Sequence, residues 1–137
     1  MIYTTYGEVQ TFDLGVKIAK TLKGGEVITL DGQLGAGKTV FTKGLAHGLG
    51  VETPILSPTF VILRQYKGSE LELYHFDMYR LESSDEALEL GFDEYIGRKT
   101  AVTVIEWADK VKDILNNVTH RIKINFVDDL TRTVEIL

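Results

Sequence analysis

The chain has 137 residues, no cysteine and a formal net charge of −5 at pH 7. This length predicts a single domain over residues 1–137, and the lack of cysteine excludes a disulfide framework, a thiolate metal site and a cysteine nucleophile. An acidic chain without a block of Lys or Arg lacks the broad positive field of proteins that bind nucleic acid on their own. No apolar stretch approaches the length of a membrane span, and the first residues lack the basic segment and apolar run of a secretory signal. We therefore predict a cytoplasmic protein with no membrane association.

The first two predicted elements are a short strand and an amphipathic helix. Ile2 to Tyr6 alternates enough to form an edge strand. The stretch from Glu8 to about Leu22 has apolar residues at three- and four-residue spacing, which is typical of a helix with one buried face. That face is predicted to contain Phe12, Val16, Ala19 and Leu22. Two glycines then end the helix.

A glycine-rich loop lies between a predicted strand, Val27 to Leu30, and a predicted helix, Val40 to Leu49. It fits the phosphate-loop pattern GxxxxGK[ST] at every fixed position and consists of Gly32, Gln33, Leu34, Gly35, Ala36, Gly37, Lys38 and Thr39. Glycines let the backbone N–H groups curl around phosphates, and the helix N-terminus adds its positive end. Lys38 would reach the outer phosphates, and the Thr39 hydroxyl would hold Mg²⁺. The loop therefore predicts that the protein binds a nucleoside triphosphate.

The helix after this loop has its own pattern of large and small residues. Phe41, Leu45 and Leu49 fall on one apolar stripe. Gly44 and Gly48 permit close packing against a neighbouring element, at some cost in helix propensity.

The rest of the chain is predicted to contain two hairpins, a buried strand and several short helices. In chain order we predict strands at 60–66 and 71–77, helices at 83–90 and 92–96, a strand at 101–105, a helix at 109–115, and strands at 121–126 and 132–136. Ser83 and Glu86 offer a capping box for the first of these helices. The predicted fold class is α/β: a mixed β-sheet like that of phosphate-loop NTPases, with helices on both faces.

Two predicted strands end in acids, at the edge where such sheets bind ligands. Asp77 follows the strand LELYHF, and Glu106 follows the strand AVTVI. Either acid could hold Mg²⁺ opposite Thr39, because phosphoryl transfer needs a metal ion and an oriented nucleophile. We favour Glu106 for the metal because its strand is the more continuously apolar, as expected beside the phosphate-loop strand. Asp77 is then the candidate for orienting water or a switch segment, and Thr59, in a proline-framed loop, for sensing the γ-phosphate.

Several other side chains allow two interpretations. Arg80 could supply a charge to phosphate or bind a partner, and could equally form a surface ion pair. Trp107 could pack at the rim of the core, or could report closure or contact a partner. The histidines, His47, His75 and His120, lack metal-ligand spacing and are interpreted as structural. ATP is favoured as the nucleotide because the chain lacks the Asn-Lys-x-Asp and Asp-x-x-Gly signatures of familiar GTPases.

Four motifs, GQLGAGKT, SPTF, LYHFDMYRL and VIEWAD, occur in this order and span much of the chain. Together they closely resemble the TsaE (YjeE) family of bacterial tRNA threonylcarbamoyladenosine biosynthesis. The resemblance implies an ATP-hydrolysing accessory subunit, dependent on Mg²⁺, that binds the TsaD–TsaB complex and supports its repeated turnover. It also implies that hydrolysis is weak without these partners and that tRNA is reached only through them.

The resemblance further implies roles for individual residues. Gly32 to Lys38 match the family's phosphate cradle, and Thr39 and Glu106 match its magnesium ligands. The implied catalytic residues are Lys38, Thr59, Asp77 and Glu106.

At the two ends of the chain, Glu8 and Arg132 match family positions near the nucleotide base. The chain departs from the family at Phe60, where Tyr is common, and at Met78, where Leu is common. Both substitutions keep the apolar character of the position.

Two other functions fit parts of the same pattern. A small-molecule kinase shares this size and phosphate loop, although such kinases usually carry an arginine-rich lid and an acceptor pocket. A nucleotide-dependent interaction module would use the bound state of the loop without essential hydrolysis.

Overall fold

The two most apolar strands of the chain lie side by side in the middle of one sheet. The computed structural model describes residues 1–33, 35–56 and 62–137. Its strands are β1 (Ile2–Tyr6), β2 (Val27–Asp31), β3 (Leu63–Lys67), β4 (Glu72–Asp77), β5 (Ala101–Glu106), β6 (His120–Phe126) and β7 (Thr131–Ile136). Its helices are α1 (Glu8–Ala19), α2 (Lys38–Gly48), α3 (Ser84–Glu89), α4 (Phe92–Tyr95) and a 3-10 helix (Ala108–Ile114).

The sheet is mixed, as predicted, with the strand order β1-β7-β6-β2-β5-β4-β3. Strand β2 pairs in parallel with β5 and β6, and β5 pairs in parallel with β4. The remaining pairs, β1 with β7, β6 with β7 and β3 with β4, are antiparallel, so both predicted hairpins are confirmed. Because β2, β4 and β5 run the same way, their carboxyl ends meet at one edge of the sheet.

Helices cover both faces of the sheet, which confirms the predicted architecture. Alternate residues of a strand point to opposite faces, so the sheet has two apolar layers. One layer joins α1 and α2 to Ile28, Leu30 and Val104. The other joins α3, α4 and the 3-10 helix to Phe76 and Ile105.

Helices α1 and α2 approach each other closely through glycines. A Cβ atom on Gly15 would lie 2.5 Å from the Phe41 carbonyl oxygen, and one on Gly44 would clash with the Phe12 carbonyl oxygen. A Cβ atom on Gly48 would lie 2.5 Å from the Ala19 Cβ, so close packing at both predicted glycines is confirmed. The predicted apolar stripe of α2 is also buried.

The predicted buried face of α1 is wrong in its centre. The buried residues are Thr11, Leu14, Gly15 and Ala19. Phe12, Val16 and Leu22 are only partly buried, at the flank of this stripe. The close helix contact places Gly15 and Ala19 against α2, and Leu14 of the same stripe enters the core.

The capping box predicted for α3 is also wrong, although the helix itself is present. Ser83 lies at the N-cap position without a side-chain hydrogen bond to the helix. Glu86 Oε1 accepts instead from the Glu82 N–H at 3.4 Å, and the neighbouring Ser84 hydroxyl donates to Asp113 Oδ2 at 2.8 Å. Ser84 thus joins α3 to the 3-10 helix, and the reciprocal hydrogen bonds of a capping box do not form.

No helix in the described part of the chain is both long and apolar enough to cross a membrane.

Candidate nucleotide-binding site

The loop between β2 and α2 has the backbone conformation that its glycines permit. Gly35 has a φ of 80°, and Gly37, the N-cap of α2, has a φ of 106°. Residues with a Cβ atom rarely adopt this region, so glycine is needed at both positions. The loop brings the first N–H groups of α2, which have no acceptor inside the helix, to the carboxyl edge of the sheet. Leu34 lies outside the described residues.

A cavity of about 330 Å³ opens beside this loop. The predicted site residues that line it are Glu8, Gly35, Gly37, Lys38, Thr39, Asp77, Glu106, Trp107 and Arg132. Gly32 and Gln33 line a second cavity of about 470 Å³, which shares Lys38 and Trp107 with the first. Ala36 is buried beneath the loop. The topology thus collects residues from both ends of the chain around one helix N-terminus.

Two predicted residues are not placed in this cavity. Thr59 lies outside the described residues, so its predicted switch role stays a prediction. Arg80 is exposed after β4 and does not line the cavity. Both interpretations of Arg80 stay open.

Lys38 is held between a carboxylate and an aromatic ring. It begins α2 and is buried, with its Nζ 3.7 Å from Glu106 Oε1 and 4.6 Å from the centre of the Trp107 ring. Glu106 is also buried, at the end of the central strand β5. Charges at such depth are stable only when paired, so each of these groups compensates the other.

His75, which was not among the predicted site residues, also contacts Glu106. Its Nε2 lies 2.6 Å from Glu106 Oε2, and its ring is 2% exposed. His75 therefore touches a residue that lines the cavity, and its interpretation as structural stays a prediction. One available signal was missed: His75 precedes Asp77 by two positions on a strand and so shares its face.

Asp77 lies next to Glu106 across the pair of β4 and β5. Its Oδ1 accepts a hydrogen bond from the Tyr79 N–H at 2.9 Å. Burial raises the pKa of the Asp77 carboxyl, and the nearby Glu106 charge acts in the same direction. The Tyr79 N–H and the Lys38 ammonium oppose this shift without cancelling it. A carboxyl with a raised pKa in a cavity is typical of functional sites.

Trp107 has a strained backbone at this site. It is the only non-glycine residue with a positive φ, 57°, in the described part of the chain. The centre of its ring lies 4.9 Å from the centre of the Tyr79 ring. The same tryptophan ring contacts the Lys38 ammonium. Strain of this kind persists only where surrounding contacts enforce it, and it concentrates at functional sites.

Arg132, in strand β7, holds the phosphate loop through its guanidinium group. Its Nε donates to the Ala36 carbonyl at 3.0 Å, and its Nη2 donates to the Gly35 carbonyl at 3.4 Å. Its Nη1 donates to the Asp128 carbonyl at 2.6 Å, and the guanidinium stacks 4.6 Å from the Phe126 ring. The hairpin of β6 and β7 is thereby fixed to the loop.

Comparison with known proteins decides the family. The family described as "Threonylcarbamoyl adenosine biosynthesis protein TsaE" matches residues 5–134. The chain belongs to the TsaE family. It is 40% identical over 132 residues to the tRNA threonylcarbamoyladenosine biosynthesis protein TsaE of Bacillus subtilis, covering 96% of this chain and 82% of that protein. It is 41% identical over 122 residues to the protein of the same name from Treponema pallidum, covering 89% of each.

A solved structure confirms the same relationship in three dimensions. The crystal structure of YdiB from Bacillus subtilis superposes on this chain with a TM-score of 0.82 and 36% sequence identity. The match covers 98% of this chain and 82% of that structure. The motifs that carried the resemblance to TsaE proteins thus belong to a shared fold.

The side-chain oxygens of Thr39 and Glu106 in this TsaE family member could hold one magnesium ion together with a nucleotide. The described residues contain no group of three or more His, Cys, Asp or Glu side chains that could cage a metal. Magnesium, however, is commonly held by one or two protein ligands plus substrate phosphates. Thr39 and Glu106 line the same cavity and would suffice for that arrangement.

Proposed function

We propose that this protein is a Mg²⁺-dependent ATPase of tRNA threonylcarbamoyladenosine biosynthesis that is activated by the TsaD–TsaB complex. The observation that carries the proposal is the convergence of Lys38, Asp77 and Glu106 with a phosphate loop around one cavity. Membership of the TsaE family supports the pathway. The net charge of −5 supports a role in which partners, rather than this chain, bind the tRNA.

Binding of the triphosphate uses the loop and Lys38. The N–H groups at the start of α2 point toward the phosphates, and the helix dipole favours their negative charge. Lys38 exchanges its contact with Glu106 Oε1 for the outer phosphate oxygens. This exchange keeps the buried ammonium compensated throughout, so the lysine remains ordered in the cavity.

Thr39 and Glu106 would hold the metal ion. Mg²⁺ bound there supplies positive charge that offsets the charge on the phosphate oxygens during transfer. Release of the Lys38 contact leaves Glu106 Oε1 available on the cavity side.

Asp77 orients the attacking water. It lines the cavity beside Glu106, and its raised pKa brings the carboxyl closer to the range useful for proton transfer. Tyr79 N–H fixes one of its oxygens, so the carboxylate has a defined direction. Positioned acid–base groups typically contribute about 10²- to 10⁴-fold to a rate.

The test follows the γ-phosphate of ATP. The protein is incubated with Mg²⁺ and ATP labelled at that phosphate, alone and with purified TsaD–TsaB. We expect labelled free phosphate, formed faster with the partners, and a loss of about 100-fold or more in Lys38→Ala. Absence of partner-stimulated phosphate release would contradict the proposal.

A small-molecule kinase is the second candidate, and one observation favours it. The second cavity, lined in part by Asp31, Lys123 and Asn125, adjoins Lys38 on the other side of the loop and has room for an acceptor. The same experiment separates the two functions, because a kinase transfers the label to a metabolite instead of releasing it.

A further inference from the structure

One buried polar side chain of the site has no role in the proposed reaction. This is His75 in β4, whose Nε2 contacts Glu106 Oε2 at 2.6 Å. Its Nδ1 is buried and has no hydrogen-bond partner among the described residues. An unpaired buried polar atom costs free energy, and an apolar side chain of similar size would avoid that cost. Core stability alone therefore does not explain a histidine at this position.

The unpaired nitrogen indicates which tautomer the ring adopts. A proton on Nδ1 would bury an N–H donor that has no acceptor. A proton on Nε2 instead lies on the short contact with the carboxylate. His75 therefore donates through Nε2–H to Glu106 Oε2, and hydrogen bonds to an ionised acceptor are among the stronger ones in proteins.

This hydrogen bond fixes the rotation of the Glu106 carboxylate. In the parallel pair of β4 and β5, His75 lies opposite Val104 and Asp77 lies opposite Glu106. The imidazole therefore reaches the carboxylate from two residues deeper along the strands, on the same face of the sheet. Oε2 is held toward β4, while Oε1 remains 3.7 Å from Lys38 Nζ at the cavity.

We propose that His75 is a positioning residue that orients Glu106 toward the Mg²⁺ and phosphate side of the cavity. The inference rests on the proposed function, because it assigns Glu106 to the metal. A partner of this kind fixes the orientation of a metal-binding carboxylate, and its loss typically costs about 10- to 100-fold in metal affinity or activity. Loss of the His75 hydrogen bond should therefore change how nucleotide binding depends on Mg²⁺.

The test compares two side chains of nearly equal shape at this position. In His75→Gln the amide N–H can occupy the place of Nε2–H, whereas His75→Met has no donor. Affinity for the non-hydrolysable analogue β,γ-imido-ATP is measured by calorimetry at rising Mg²⁺ concentration. We expect the Mg²⁺ concentration for half-maximal tightening to rise about 10- to 100-fold in His75→Met and to stay close to wild type in His75→Gln.

Thermal unfolding of each variant separates positioning from folding. If His75→Met does not fold, His75→Asn replaces it, because its shorter amide does not reach Glu106. The matched control is Thr103→Val in β5, which alters another buried side chain whose hydroxyl lacks a partner among the described residues and which lies on the opposite face of the strand from Glu106. This control should leave the Mg²⁺ dependence unchanged.

Two results would overturn the role of His75. One is a wild-type Mg²⁺ dependence in the folded variant that lacks the donor, and the other is an equal loss in that variant and in His75→Gln. A wild-type protein that binds no analogue at any Mg²⁺ concentration would instead contradict the proposed function, and the role of His75 with it.

Discussion

Asp77, to which we assign the orientation of water, carries a carboxyl whose ionised form is disfavoured by the fold. Its folded-state pKa is raised, chiefly by burial, above the usual value of about 3.9 in an unfolded chain. The ionised form is therefore disfavoured in the folded state. The resulting cost in unfolding free energy is absent below the unfolded pKa, grows between the two pKa values and is complete above the folded one.

Asp77→Asn should consequently be more stable than wild type at pH 7 and should lose this advantage as the pH falls toward 4. ATP hydrolysis should fall by about 100-fold or more, because asparagine cannot accept the proton of water. Urea unfolding at several pH values without Mg²⁺, together with a phosphate-release assay, measures both effects. Asp13→Asn on the exposed side of α1 is the control, with an expected change within about 0.5 kcal/mol. A less stable Asp77→Asn at pH 7 would contradict this account.

Motif and strand position predicted three of the six charged residues that line the cavity in the described part of the chain, and the family resemblance added two more. The phosphate-loop pattern indicated Lys38 and Thr39, and the strand ends indicated Asp77 and Glu106. The contact of His75 with Glu106 was not predicted, because it depends on which strands are neighbours in the sheet. The positive φ of Trp107 likewise has no signature in composition or spacing.

At the scale of elements, the contact between α1 and α2 is set by glycines that no other residue can replace. Gly44→Ala would drive a Cβ atom into the Phe12 carbonyl, and backbone atoms of a packed helix cannot move aside easily. We expect a loss of about 3 kcal/mol in unfolding free energy, at the upper end for overpacking. The measurement is urea unfolding, with Lys43→Ala at an exposed position of α2 as the control. A loss below about 0.5 kcal/mol, as expected of surface changes, would show that the helices can separate without cost.

The turn between β6 and β7 is a second element that supports the site. Asp128 Oδ1 accepts from the N–H groups of Leu130 and Thr131, at 2.9 and 2.8 Å. These hydrogen bonds lower the pKa of the Asp128 carboxyl. The ionised Asp128 carboxylate therefore stabilises the folded protein at pH values above the pKa of this group in the unfolded chain. This stabilisation is lost as the pH falls through the lower pKa of the group in the folded protein.

Asp128→Ala should thus destabilise the protein at pH 7, and the difference from wild type should shrink as the pH falls below 4. The loss also loosens the hairpin that carries Arg132, so nucleotide affinity should weaken several-fold. Thermal unfolding at pH 7 and pH 3 and calorimetric titration with an ATP analogue measure the two effects. Asp129→Ala, in the same turn, is the control for stability. A difference in thermal stability between Asp128→Ala and wild type that is the same at pH 7 and pH 3 would contradict the role assigned to the ionised carboxylate.

Across the whole molecule, local patterns predicted the elements and the mixed sheet, while long-range contacts were beyond their reach. Two apolar runs indicated central strands, and turn residues indicated both hairpins. The hold of Arg132 on the Gly35 and Ala36 carbonyls joins segments almost a hundred positions apart, so no local pattern reports it. The buried face of α1 was missed in part because Thr11 and Gly15, which are buried there, add nothing to an apolar pattern.

The central claim is that ATP hydrolysis in this cavity sustains repeated cycles of tRNA modification. It is tested most directly by counting threonylcarbamoyladenosine formed per TsaD–TsaB complex, with wild-type protein and with Glu106→Gln. We expect many products per complex with wild-type protein and ATP, and about one with Glu106→Gln, which can still bind nucleotide through the loop and Lys38. Multiple turnover sustained equally by Glu106→Gln, or no stimulation by the wild type, would contradict it.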